Sequence, residues 1–200
     1  MKPLRNAGIA IIVGMIIGLI TLIYSMTTIF SKYEFNDLIN RELMSKIMAE
    51  AFPLPLFVFT ILLSIVVIIF TYSGFISLGK RFNQTLLKVS AWVLLGALIL
   101  HSVLSGIISY QVYYLSSQSQ FFLTAQGILS LIFLVLYVVF YILLGVSLLK
   151  LKKNVEMAKT VGVLYIVSAA TTIILVGSVL LWITQIFVAV MFFKASKKFE

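Results

Sequence analysis

The sequence predicts an all-α integral membrane protein, a bundle of about six transmembrane helices with one extracytoplasmic amphipathic helix. The chain is 62% hydrophobic and 10% charged, whereas soluble domains are roughly 45 to 50% apolar and about 25% charged. Its apolar residues form runs long enough to cross a bilayer, and its basic residues lie in short stretches between those runs. We expect all 200 residues to form a single membrane domain.

The first four apolar runs each exceed the roughly 20 residues that a helix needs to cross about 30 Å of hydrocarbon. They predict transmembrane spans over residues 7–30, 52–78, 86–110 and 121–149. The first run follows Lys2 and Arg5, as in a signal peptide, but it is longer than a hydrophobic signal region of about 7 to 15 residues. We therefore expect a retained signal-anchor helix.

The last apolar run, residues 160–193, is too long for one span, since at about 1.5 Å per residue it would extend roughly 51 Å. We expect it to fold back near Gly177 and Ser178 and to form two short helices, 160–177 and 178–193. Because these halves are shorter than the other spans, a re-entrant hairpin and a locally thin membrane both remain open.

The basic residues orient the chain and favour six spans over five. With the amino terminus in the cytoplasm, six spans place twelve of the fifteen Lys and Arg residues inside. Lys32, Arg41 and Lys46 lie outside. This distribution follows the positive-inside rule, whereas five spans would leave the carboxyl terminus and its lysines outside. We therefore expect a cell-membrane protein with both termini in the cytoplasm, and we place Tyr72 and Trp92 toward that side.

The net charge of +9 does not favour nucleic-acid binding, because the basic residues flank apolar spans. Groups of lysines in such positions meet anionic lipid headgroups. With no cysteine, the chain has no disulfide, no thiolate metal site and no thiol nucleophile. Membrane lipids are the partners that the composition indicates, and no nucleic acid, metal or cofactor is expected.

Residues 31–50 differ in composition from the rest of the chain, because they contain four of its six acidic residues. Apolar side chains recur there every four residues and predict a stripe along one face of an amphipathic helix. The stripe consists of Phe35, Ile39, Leu43 and Ile47. It is a candidate surface for a partner subunit or a lid, although an interfacial helix that seals the outer face is the favoured interpretation.

Polar residues inside the predicted spans are the candidate functional residues. His101 lies near the middle of the third span, where an ionisable group is expensive. Ser105 and Ser109 follow at intervals of one helical turn, so the three are predicted to share a face that lines a proton path or contacts a quinone or haem. The favoured alternative is a neutral His101 that hydrogen-bonds a serine, a glutamine or a backbone carbonyl between helices. Gln126 and Gln185 are similar interhelical candidates.

Small residues four positions apart indicate close helix packing. Gly14 and Gly18 form such a step in the first span, and Ser102 and Gly106 form another in the third. Thr171 and Thr172 are further candidates for interhelical hydrogen bonds.

Three stretches resemble a family of small archaeal membrane proteins. They are Gly79-Lys80-Arg81-Phe82-Asn83 continuing to Leu87-Lys88-Val89, Gly162 to Ser168 (GVLYIVS), and Val188-Ala189-Val190-Met191-Phe192-Phe193. Together they resemble the proteins grouped as domain of unknown function 996 and its relatives, over roughly the second half of the chain. The resemblance implies an archaeal plasma-membrane protein. It implies no functional residues, because none are established for that group.

Among function classes, the sequence disfavours an enzyme, because the predicted spans contain one histidine and no acidic residue. It favours a non-catalytic accessory or structural subunit that packs against a larger membrane complex or against itself. The alternative is a small transporter or channel with a polar path at His101, Ser105 and Ser109, although the spans contain no charged residue apart from Lys88 near the start of the third and show no repeats of secondary carriers.

Overall fold

The computed structural model describes residues 2–33, 41–113, 120–172 and 176–199, without the side chains of residues 41–45, 113, 120–123 and 178. Within these ranges the chain forms seven α-helices and no β-strand, which confirms the all-α prediction. In chain order the helices are α1 (Lys2–Lys32), α2 (Arg41–Ala51), α3 (Leu54–Arg81), α4 (Thr85–Tyr113), α5 (Gln120–Lys150), α6 (Ala158–Thr171) and α7 (Val176–Phe199).

Five of the described helices are long and apolar enough to cross a membrane, namely α1, α3, α4, α5 and α7. The chain is therefore a membrane protein built from apolar helices. Helix α6 is also apolar but has only 14 residues. At about 1.5 Å per residue it is roughly 21 Å long, which is shorter than the hydrocarbon core of about 30 Å.

The turn between the last two helices lies earlier than predicted. Helix α6 ends at Thr171 and α7 begins at Val176, so the two are 14 and 24 residues long rather than nearly equal. Gly177 lies in the first turn of α7, where a Cβ atom would overlap the Ser168 carbonyl oxygen. Because it has no side chain, Gly177 lets the start of α7 pack closely against the end of α6. The glycine therefore belongs to the contact between the two helices, and the turn lies before it, between Thr171 and Val176.

The two threonines at the end of α6 bond within their own helix. The Thr171 hydroxyl donates to the Val167 carbonyl at 2.8 Å, and the Thr172 hydroxyl donates to the Ser168 carbonyl at 2.7 Å. The prediction that they bond between helices was therefore wrong. The hydroxyl pair that joins α6 to α7 is instead Ser168 and Thr184, with their oxygens 3.4 Å apart.

Six of the helices form a closed ring. Helix α1 packs against α3, α3 against α4, α4 against α5, α5 against α6, α6 against α7, and α7 back against α1. Helix α2 is outside the ring and contacts α1 and α4. The core of the protein therefore lies in the middle of the ring, with every ring helix contributing one face to it.

The two ends of the ring differ sharply in charge. At one end the Lys198 ammonium donates to the Asn154 carbonyl at 2.9 Å, and the Arg81 guanidinium lies 4.1 Å from the centre of the Phe199 ring. This basic end brings together the start of α1, the α3–α4 turn, the α5–α6 loop and the end of α7. It contains twelve of the fifteen basic residues. Lys32, Arg41 and Lys46 lie at the opposite end, which we call the outer end.

The α3–α4 turn at the basic end explains the Gly-Lys-Arg-Phe-Asn sequence. Asn83 has a φ of 51°, in the left-handed region that asparagine tolerates better than most residues. The Gln84 amide then donates to the Gly79 carbonyl at 2.9 Å and closes the helix end. A Cβ atom on Gly79 would lie 2.7 Å from the Lys88 side chain, so the two helices meet closely there.

Helix α2 covers the outer end, and the described helical residues of the segment 31–50 belong to two helices. Helix α1 continues to Lys32, and α2 begins at Arg41. Ile47 is fully buried, whereas Phe35, Ile39 and the Leu43 side chain lie outside the described residues. Glu50 pairs with Lys32 at 3.2 Å. A hydrogen bond with Tyr33, together with the Lys32 ammonium, holds the pKa of the Glu50 carboxyl below its ordinary value.

Candidate functional site

Aromatic side chains fill the centre of the ring in the half that adjoins the basic end. Phe75 from α3, Tyr165 from α6 and Phe192 from α7 are each fully buried. The Phe75 ring centre is 4.9 Å from that of Phe192 and 6.0 Å from that of Tyr165. These spacings are those of favourable aromatic pairs, so this half of the ring is a packed core.

Tyrosine hydroxyls cluster next to the packed core, on its side toward the outer end. The Tyr72 and Tyr141 hydroxyls are 3.3 Å apart, and the Tyr141 and Tyr165 rings stack with their centres 5.4 Å apart. The Tyr165 hydroxyl lies near the Gln185 amide but outside normal hydrogen-bond geometry. Tyr72 is only 3% exposed, so it belongs to the interior of the ring of helices.

A cavity of about 310 Å³ adjoins the tyrosine cluster. Five helices line it, and the walls are mostly aliphatic side chains of α1 and α3. No Lys, Arg, His, Asp or Glu is among its lining residues, which are all within the described part of the chain. Its polar lining consists of Thr21, Thr60, Ser64, Thr71, Tyr72, Tyr141, Trp182 and Gln185.

The hydroxyl groups in this cavity differ in whether their protons already donate a hydrogen bond. Thr21, Thr60 and Ser64 each donate to a carbonyl four residues earlier, at 2.9, 2.7 and 2.8 Å. Their protons are therefore used, and only oxygen lone pairs remain. Thr71 is different, because its hydroxyl is buried and has no hydrogen-bond partner among the described residues. A buried hydroxyl without a partner costs free energy, so this position favours a bound polar group.

His101 joins α4 to α5. Its Nδ1 atom is 2.8 Å from the Tyr137 hydroxyl, and its ring stacks on Phe133 with centres 4.7 Å apart. With a neutral imidazole protonated on Nε2, the Tyr137 hydroxyl donates to Nδ1. The interhelical hydrogen bond that we favoured for His101 is therefore present, but the partner is a tyrosine and not a serine, glutamine or backbone carbonyl.

Replacing His101 with phenylalanine is expected to leave insertion and assembly nearly normal. The change removes one hydrogen bond, worth about 0.5 to 1.5 kcal/mol, and keeps a ring that can stack on Phe133. Resistance to unfolding by dodecyl sulfate in mixed micelles measures the effect. His101→Ala is the comparison variant and should cost more, because it also loses the stacked ring. Complete loss of the folded protein in His101→Phe would contradict a structural role.

The serines after His101 face a different helix. Ser102, Ser105, Gly106 and Ser109 line a groove of about 210 Å³ against α3, and the Ser105 hydroxyl is buried without a partner among the described residues. Each step of four residues turns a helix about 40° beyond a full revolution, so Ser109 points well away from His101. Ser105 and Ser109 thus lie together against α3, whereas His101 is directed toward α5.

The two glutamines occupy unlike places. The Gln126 side-chain oxygen on α5 is buried and has no hydrogen bond among the described residues. Gln185 on α7 lines the cavity near Tyr165.

The small residues of α1 and α4 also differ from each other in surroundings. A Cβ atom on Gly14 would be 2.7 Å from Val67, and one on Gly106 would be 2.8 Å from Ile61, so both glycines receive side chains of α3. Gly18 has no atom within 4 Å of such a Cβ and lines the cavity. Of the two steps predicted to pack, Gly14 and Gly106 make the close contacts and Gly18 leaves open space.

No family model, curated protein or solved structure matches the chain. The resemblance to the archaeal family therefore stays a prediction. The description of the site rests on the chain's own geometry, which supplies hydrogen-bonding hydroxyls, an amide and an indole in an apolar setting. Groups with this chemistry bind and orient a neutral polar atom.

The tyrosine cluster and Thr71 are the residues that sequence reasoning missed. Three tyrosines, at 72, 141 and 165, lie five to eight residues from the nearest end of an apolar run. Tyrosine inside a span, away from the headgroups, is the signal that indicates an interior polar cluster.

Proposed function

We propose that this chain is a non-catalytic membrane subunit that packs against a larger membrane complex or against further copies of itself, and that it does not conduct ions. The packed aromatic core carries this proposal. A channel or carrier needs a path through the bundle, whereas Phe75, Tyr165 and Phe192 fill the centre of the ring at no exposure to solvent. The described spans contribute no charged side chain to that core.

An outward-facing notch on α4 supports the packing role. Trp92 and Leu100 are 59% and 53% exposed, and Gly96 lies between them on the same side of the helix. A Cβ atom on Gly96 would have no atom within 4 Å. A glycine between two large side chains lets a neighbouring transmembrane helix approach closely, which is the usual basis of helix association in lipid.

The charge difference between the two ends supports an orientation with both termini in the cytoplasm. The basic end contains the start of α1 and the end of α7, so both termini lie on one side of the bundle. Cytoplasmic ends of membrane proteins carry an excess of Lys and Arg. In this orientation α2 and the Lys32–Glu50 ion pair lie on the far side of the membrane.

Purification of the full chain from native membranes in a mild detergent tests the packing role. We expect the chain to be recovered with a stoichiometric companion subunit or as a homo-oligomer, measured as mass by light scattering. Gly96→Leu should lower the assembled fraction several-fold, because the new side chain fills the notch. Val139→Leu, at a position 47% exposed on α5, is the matched control and should assemble normally.

Two results would contradict the proposal. One is a chain that is monomeric at every detergent concentration and insensitive to Gly96→Leu. The other is ion or proton flux in liposomes that disappears in Ser105→Val or His101→Phe, which would favour the transporter or channel with a polar path along α4.

A further inference from the structure

The cavity beside the tyrosine cluster lies between α1, α3 and α7 and is separate from the notch on α4. We propose that it binds a neutral lipid whose head carries hydroxyl and carbonyl oxygens, of the diacylglycerol type. The size of the cavity, the chemistry of its lining and its opening to the bilayer all fit such a lipid.

The volume of about 310 Å³ is suitable for a lipid head with the first part of a chain. Ligand cavities in proteins measure roughly 300 to 1,000 Å³ and have mostly apolar walls with a few polar groups. Here Ile11, Met15, Leu63, Val67 and Ile68 provide apolar walls. A hydrocarbon chain packs against such walls without losing any hydrogen bond.

The polar groups of the cavity match a head with both donor and acceptor atoms. The Thr71 hydroxyl is only 4% exposed as a residue and has no partner among the described residues, so it can donate to a carbonyl oxygen. Gln185 of α7 also lines the cavity, and its side-chain carbonyl oxygen can accept from a hydroxyl. A diacylglycerol head provides one hydroxyl and ester carbonyls, which satisfies both kinds of group.

The absence of charge from the lining selects against ionic lipids. None of the residues that form this cavity, all of them described, is acidic or basic. A phosphate group placed here would lose its hydration without gaining a cationic partner, which is strongly unfavourable in an apolar setting. The basic side chains that would attract phosphate lie at the ends of the helices instead. The cavity therefore favours a head without phosphate.

The cavity is open to the lipid on one flank. Gly18 on α1 and Ser64 on α3 are exposed residues that also line it, and Trp182 on α7 is 48% exposed. A lipid can enter sideways between these helices, with its head reaching Thr71 and its chains remaining in the bilayer. Gly18 lies at this opening with no atom within 4 Å of an added Cβ, so a larger residue there obstructs the cavity without disturbing the core.

Photolabelling of the full chain tests this proposal. The protein is reconstituted into phosphatidylcholine liposomes that contain a diacylglycerol analogue with a diazirine in its acyl chain. We expect adducts on the peptides that contain Gly18 and Thr71. Unlabelled diacylglycerol should compete for the site, whereas phosphatidylglycerol should not.

Two variants sharpen the test. Gly18→Leu should reduce labelling about tenfold, which corresponds to a loss of about 1.4 kcal/mol of binding free energy. Thr71→Val keeps the shape and removes the hydroxyl, so the concentration of competitor needed should rise about threefold to tenfold. Gly127→Leu is the control, since that glycine is exposed, has no atom near an added Cβ and does not line the cavity.

Equal labelling of Gly18→Leu and the unaltered chain would overturn the proposal, as would equal competition by phosphatidylglycerol. Adducts confined to other helices would overturn it too. Because Gly18 and Thr71 line the cavity and Gly96 does not, the two variants should retain the assembly state, and failure of one proposal is distinguishable from failure of the other.

Discussion

Replacing Gly145 with leucine is expected to lower the free energy of unfolding by about 3 kcal/mol, at the upper end of the usual cost of overpacking. Gly145 on α5 faces Gly162 on α6. A Cβ atom on Gly145 would be 2.6 Å from the Gly162 carbonyl oxygen and 2.7 Å from the Ile166 side chain. Because the first of these contacts is with backbone, a side-chain rotation cannot relieve it and the two helices must separate.

Unfolding by dodecyl sulfate in mixed micelles, followed by circular dichroism, measures this loss. Gly127→Leu is the matched control, because it makes the same substitution in the same helix at a position with no atom within 4 Å of the new Cβ. It should unfold like the unaltered chain. Equal stability of Gly145→Leu and Gly127→Leu would show that α5 and α6 do not meet at the two glycines.

Replacing Phe75 with alanine is expected to cost about 3 to 5 kcal/mol, the range for removing a fully buried aromatic ring. Phe75 is at the centre of the packed core, where it contacts Tyr72, Tyr165 and Phe192 with ring centres 4.9 to 6.0 Å apart. Its removal leaves a cavity between α3, α6 and α7 that these rings cannot fill by small movements. The same detergent titration measures the loss.

Phe59→Ala provides the control, because Phe59 is on the same helix but is 50% exposed. Lipid replaces the removed ring there, so the expected change in stability is small. If the two variants unfold alike, the aromatic residues do not form the core of the ring, and the argument against a conducting path loses its basis.

The sequence alone predicted the long membrane helices, but it did not predict where the chain turns between the last two helices. Runs of apolar residues longer than about 20 predict membrane helices because the bilayer leaves few alternatives. Within the continuous apolar run 160–193, however, composition contains little information on where the chain turns. The turn after Thr172 depends on how α7 packs against α6, with Gly177 against the Ser168 carbonyl, and that contact is tertiary.

The candidate site was predicted in part. His101 was expected to bond between helices, and it does, but its tyrosine partner is 36 residues away in the chain and carries no local signal. The serines of α4 were assigned to the same face because helical steps of four nearly repeat. Ser105 and Ser109 line one groove against α3, and His101 is directed toward α5 by its contacts with Phe133 and Tyr137. Thr71, Tyr72 and Tyr141 were missed because a hydroxyl in an apolar run looks like any other tolerated polar residue.

The short length of α6 also affects the lipids around the protein. Its Val163 and Val167 side chains are 44% and 43% exposed, so acyl chains contact this helix directly. The length of α6 is roughly 9 Å less than the thickness of the bilayer core. Accommodating such a mismatch costs fractions of a kcal/mol for each ångström. We expect the bilayer to thin on this flank, whereas α3 and α5, with 28 and 31 residues, are longer than the core is thick. Bilayers of shorter acyl chains therefore reduce the deformation energy, and the protein is intrinsically sensitive to membrane thickness.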